Sequence, residues 1–188
     1  MDITQYKNIR LEDACSLSQQ IYKGLRYDAL IPIDELHENE YNLTLYKNWN
    51  KYHGNYISDL ANLIKEEGLQ KVPIVFSDVP LLIGGHHRKR SLRHLGASHV
   101  PVRVHDKDYT WEDFKDKPVE LMKIMANDNM RPEETEYDKF CALQTLINSH
   151  KSQFKVDTVP VKGTYGLEVY GSTIGFSYKK YCTYKTLI

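Results

Sequence analysis

The sequence predicts an α+β protein, a small sheet with packed helices followed by a helical region. Three observations predict it. Short apolar runs at 30–33, 72–76, 81–83 and 99–104 are each bounded by Pro, Gly or acidic residues, as strands are. Around them, apolar residues recur at spacings of three and four, the helical period. Beyond residue 104 the pattern becomes wholly helical. The 188 residues and 22.0 kDa suit one domain with an appendage or two small domains.

Residues 9–24 read as a helix, with Ala14, Leu17, Ile21 and Leu25 on one face. The strand at 30–33 contains Pro32, which suits a sheet edge. Residues 34–40 are a polar turn. Residues 41–56, rich in Asn, Lys and Tyr, read as a loop with room for one helical turn. Ser58 looks like the cap of a helix that buries Leu60, Ala61, Leu63 and Ile64 and ends at Gly68. The strand at 72–76 precedes a turn, and the continuous apolar run 81–83 reads as a buried strand. Gly84 and Gly85 break that strand and open a helix over 86–95, closed by Gly96. A further strand follows at 99–104. Pro118 then starts a helix with Val119, Met122 and Met125 inward, and Asn127-Asp128-Asn129 interrupts it. Pro132 starts another helix, with Phe140, Leu143, Leu146 and Ile147 inward. After Ser149, six lysines against Asp157 and Glu168 give a net charge of +4, and Ser177 could cap a last helix.

Composition excludes several classes. Hydrophobic residues are 41% and charged residues 27%, a globular balance. No apolar stretch approaches the roughly 18–20 residues of a membrane span. The opening MDITQYKNIRLEDA has the character of neither a signal nor a transit peptide. Cys15, Cys141 and Cys182 lie far apart without a CxxC, which argues against a disulfide framework and fits a reducing cytoplasm. Twenty-five basic and twenty-five acidic residues cancel, so any nucleic-acid contact must come from a local patch.

The chemistry concentrates in Leu81-Leu82-Ile83-Gly84-Gly85-His86-His87-Arg88-Lys89-Arg90-Ser91-Leu92. A buried strand delivers two glycines to a helix N-terminus. Glycine lets a ligand approach the backbone closely. The helix end offers N–H groups and partial positive charge. Arg88, Arg90 and two imidazoles add donors, so the run can cradle a phosphate. It can also be read as a tight turn before a solvated basic face. Adjacent helical residues point about 100° apart, so His86 and His87 rarely share one metal.

Four boxes resemble, in order, those of the N-terminal domain of ParB-type partition proteins and the wider ParB/sulfiredoxin fold. They are Leu30–Leu36 with Glu38–Asn42, then residues 57–75 (ISDLANLIKEEGLQKVPIV), then Gly85–Ser91 continuing through residues 96–102, and Met125–Glu134. The resemblance implies a small mixed β-sheet with packed helices. It divides the chain into an N-terminal helix at 1–24, a nucleotide-binding domain at 25–115, and a helical region at 116–188 holding the start of a helix-turn-helix. It also implies binding of CTP or another nucleoside triphosphate with magnesium, and contact with DNA, with dimerisation or clamping as the output. Gly84, Gly85, His86, His87, Arg88, Arg90 and Arg131 would bind the nucleotide. Asn127 and Asp128 would hold magnesium, and Lys179 and Lys180 would touch DNA. Asn42 stands near a family glutamine implicated in hydrolysis, so nucleoside triphosphatase activity is an open expectation.

The Gly-His-His-Arg version of the box also resembles free serine kinases on this fold, in which Glu38 or Glu40 would be the catalytic base. A third reading is a DNA-binding regulator without catalysis. Sulfiredoxin activity requires a cysteine where this chain has His86.

Overall fold

Four strands form one mixed sheet in the order β1-β4-β2-β3. They are β1 (Ala29–Pro32), β2 (Ile74–Val75), β3 (Leu82–Gly84) and β4 (His99–Val104). β1 pairs antiparallel with β4, Ala29 opposite Val102 and Pro32 opposite His99, and so stands at an edge as its proline predicts. β2 runs parallel to β4 and antiparallel to β3. The computed structural model describes residues 2–46, 55–106, 109–128 and 135–187.

The chain forms two compact units. Unit 1 is Met1–Asn39 with His53–Asp113, and unit 2 is Glu40–Tyr52 with Phe114–Ile188. Unit 1 contains the sheet, α1 (Ser16–Ile21), α3 (Tyr56–Glu67) and α4 (His86–Leu95); α2 (Glu40–Leu45) belongs to unit 2, and α5 (Trp111–Phe114) carries the chain into it. The core of unit 1 gathers Leu30, Ile31, Val75, Leu82, Leu92, Val100 and Val102, with Ile3 and Tyr22, all wholly or nearly buried.

Three local expectations are corrected. In place of one helix over 9–24 there are a 3-10 turn at Leu11–Asp13 and the short α1. Ser58 lies inside α3, whose cap is Asn55. Leu63 of α3, expected inward, is exposed. The stretch expected as a loop with one helical turn begins with α2, which supplies that turn.

Unit 2 adds α6 (Pro118–Asp128), α7 (Glu136–Phe154), α8 (Leu167–Thr173) and α9 (Tyr178–Leu187). Val119, Met122 and Met125 of α6 are buried, as are Phe140, Leu143, Leu146 and Ile147 of α7. Thr135 caps α7 through a reciprocal pair with Asp138. The expected helix start at Pro132 falls outside the described residues. α8 and α9 are joined by a turn in which the Phe176 N–H donates to the Gly171 carbonyl at 2.7 Å. A Cβ on Gly171 would collide with the Phe176 carbonyl oxygen, so this close approach requires glycine.

Candidate functional site

In unit 1 the chemistry-bearing residues meet where β3 runs into α4. Leu82 and Ile83 are fully buried and fix the position of Gly84 and Gly85. Gly85 caps α4 in the left-handed region, with φ 89° and ψ 22°. A Cβ on it would stand 2.8 Å from both Cα and Cβ of Pro73, and 3.2 Å from Nη1 of Arg88. Both facts demand glycine. No side chain caps this end of α4, and its first turn holds no acidic residue.

His86, His87, Lys89 and Ser91 are buried, while Arg88 and Arg90 are half-buried. The basic run is therefore not a simple solvated face. His86 Nε2 accepts a hydrogen bond from the Asn39 backbone N–H at 3.3 Å, which leaves the proton of a neutral ring on Nδ1. His87 meets Tyr56 edge-on, with ring centroids 5.3 Å apart. The two imidazoles have separate partners. Ser91 Oγ donates to the Ile57 carbonyl at 3.0 Å and ties α4 to α3.

Glu38 is held by α4. Nε of Arg90 donates to both carboxylate oxygens at 3.1 and 3.0 Å, and Nη2 of Arg90 adds a further bond. Lys89 Nζ lies 3.9 Å from the same carboxylate. Burial pushes the Lys89 ammonium below its usual range, and Glu38 offsets part of that shift.

Unit 1 thus brings together Glu38, Gly84, Gly85, His86, His87, Arg88 and Arg90. The other candidates belong to unit 2. Glu40 is exposed in the first turn of α2. Asn42, 1% exposed, has neither side-chain oxygen nor nitrogen hydrogen-bonded among the described residues. Asn127 and Asp128 end α6, Asn127 exposed and Asp128 half-buried. They offer one carboxylate and one carboxamide oxygen, which suit magnesium when phosphate and water oxygens complete its shell. Among the described residues no group of three or more His, Cys, Asp or Glu could hold a metal ion. Arg131 lies outside the described residues.

Lys179 and Lys180 are exposed in the first turn of α9, and Ser177 Oγ accepts from the Lys180 N–H at 3.3 Å, the expected cap. The Lys180 ammonium pairs with Glu136 of α7. Tyr181 and Tyr184 stack on Phe140 at 5.7 and 5.5 Å, so two of the tail's tyrosines serve packing.

Sequence reasoning missed the partners of α4, namely Asn39, Tyr56 and the pair Asp34–Arg93 at 2.8 Å. The available signal was the spacing of His86, Arg90 and Arg93, three and four residues apart on one helical face.

The fold defined by this sheet and these helices is ParB-like. A solved structure of the C2221 form of a Pnob8-like ParB-N domain superposes with a TM-score of 0.54 at 18% sequence identity, covering 79% of this chain. The match spans 63% of that structure's chain. No protein-family model and no curated protein matches the sequence. Among the described residues no helix is long and apolar enough to cross a membrane.

Proposed function

We propose that this chain is a nucleotide-dependent switch of the ParB type, which takes CTP or another nucleoside triphosphate with magnesium at the start of α4. The observation that carries the reading is the start of α4, where no side chain caps the helix, the first turn holds no acidic residue, and Arg88 stands in that turn, a combination that favours an anion at the helix N-terminus. Arg88 would add a charge-assisted hydrogen bond to a phosphate oxygen. In unit 2, Asp128 with Asn127 would hold magnesium. Magnesium would supply neutralising charge to a triphosphate.

DNA contact is proposed for α9, through Lys179 and Lys180. Lys180 would exchange Glu136 for a phosphate. Dimerisation or clamping would be the output of nucleotide binding.

The small-molecule kinase reading takes Glu38 or Glu40 as its base. The Glu38 carboxylate is already committed to Arg90 and Lys89, and a proton acceptor there would first have to leave both. Glu40, exposed in the first turn of α2, is the base left to that reading. A thermal-shift panel of nucleotides with and without magnesium tests the proposal. A ligand that binds the folded state alone raises the melting temperature. No shift with any nucleotide would remove the reading.

A further inference from the structure

Residues 33–39 lie as a strap along one face of α4, in the opposite direction. Arg93 Nη2 donates to the Ile33 carbonyl at 3.1 Å and to Asp34 at 2.8 Å. One turn back, Arg90 and Lys89 hold Glu38. At the helix start, His86 accepts from the Asn39 N–H. The backbone adds two bonds: the His37 N–H donates to the Pro80 carbonyl at 2.8 Å, and the Leu82 N–H donates to the His37 carbonyl at 3.0 Å. The strap ends at Asn39, where the chain passes from unit 1 to unit 2.

We propose that this strap is an autoinhibitory latch, in which Glu38 occupies on Arg90 the place that a phosphate of the nucleotide takes, so that nucleotide binding releases residues 38 and 39. The inference rests on the phosphate-cradle reading above. A guanidinium fork accepts a carboxylate or a phosphate in similar bidentate geometry, so one can replace the other with Arg90 in place. Asp34 on Arg93 and the two backbone bonds of His37 anchor the strap upstream, which confines release to its last two residues. His86 is the positioning residue of this device. It joins the first turn of α4 to the peptide at which the chain changes units, so a ligand on that turn is felt at the crossing.

The test is calorimetric titration of the full chain with inorganic tripolyphosphate and, separately, with CTP, each with magnesium. Glu38→Gln removes the competing charge, and both probes should then bind about tenfold more tightly, the equivalent of one modest charge-assisted contact. Equal or weaker binding by Glu38→Gln, with Arg88→Ala still weakening binding tenfold or more, overturns the latch and leaves the phosphate site standing. Absence of binding to both the wild type and Glu38→Gln overturns the latch together with the phosphate site. Amide hydrogen exchange on the wild type supplies a readout independent of any variant. Saturating CTP with magnesium should speed exchange at Asn39, whereas unchanged or slower exchange there overturns the latch.

Discussion

Nε of Arg90 stands 3.1 and 3.0 Å from the two carboxylate oxygens of Glu38, a pair 52 residues apart in sequence. The pair joins the residues after β1 to the helix after β3, two segments that the sheet order alone does not place together. It also holds the Glu38 carboxylate against α4.

Gly85→Ala should destabilise unit 1. The substitution forces a side chain into φ 89° and against Pro73 at 2.8 Å. Backbone strain of this kind costs about 1–3 kcal/mol, and the contact with Pro73 adds to it. Chemical denaturation of both proteins measures the difference. An unchanged midpoint would mean that the β3–α4 turn tolerates a side chain.

Cys15 should be a reactive thiol at neutral pH. Burial alone would raise its pKa, but hydrogen bonds involving Ser18, 3.2 Å away, and Ser98 outweigh burial and bring it down to about 6. The rate of alkylation by iodoacetamide, followed at Cys15 by mass spectrometry, should therefore rise through pH 6 and level off below the range of an ordinary thiol near 8.5. The stability linked to this thiolate is present at high pH and declines as pH falls from the unfolded-state pKa towards 6. Ser18→Ala should move the alkylation midpoint upward. A wild-type midpoint above 8 would contradict the assignment.

The elements that carry the candidate residues were legible to different degrees. Local signals were sufficient for α4, because Gly85 and Gly96 bound it on both sides and both take the left-handed backbone. β3, β4, the inward faces of α6 and α7 and the Ser177 cap follow from periodicity and capping chemistry in the same way. What the sequence hid was long-range pairing. Nothing near Glu38 announces Arg90, and nothing near Lys180 announces Glu136, 44 residues away. The bounds of the short α2 were not legible, since Tyr41 and Asn42 are weak helix formers and six residues give too brief an apolar period to place them.

Asp128→Ala should weaken CTP binding with magnesium more than without it. A single carboxylate at the end of α6, beside the carboxamide of Asn127, matters chiefly when a hard cation is present. Titrations with and without magnesium decide it. Equal weakening in both conditions would make Asp128 a helix-end residue with no metal role.

DNA affinity, if carried by α9, should fall steeply with salt, by about 0.9 log units per log unit of salt for each phosphate neutralised. Replacing Lys179 and Lys180 by alanine should flatten that slope by roughly two units. Glu136→Gln should strengthen binding, because it frees the Lys180 ammonium. Fluorescence anisotropy on a duplex over several salt concentrations reads both effects. An unchanged slope in the double variant would move DNA contact away from α9.

A triphosphate site at the start of α4 stands or falls on calorimetric titration of CTP with magnesium into the wild type and Arg88→Ala. Arg88 is half-buried with its guanidinium over Gly85. Loss of one charge-assisted hydrogen bond costs about 1.5–3 kcal/mol, roughly a ten- to hundredfold loss of affinity. The wild type should bind saturably, with a loss of at least that size in the variant, whose circular dichroism spectrum and melting should be those of a folded protein. Equal affinity in the two proteins would contradict a site there.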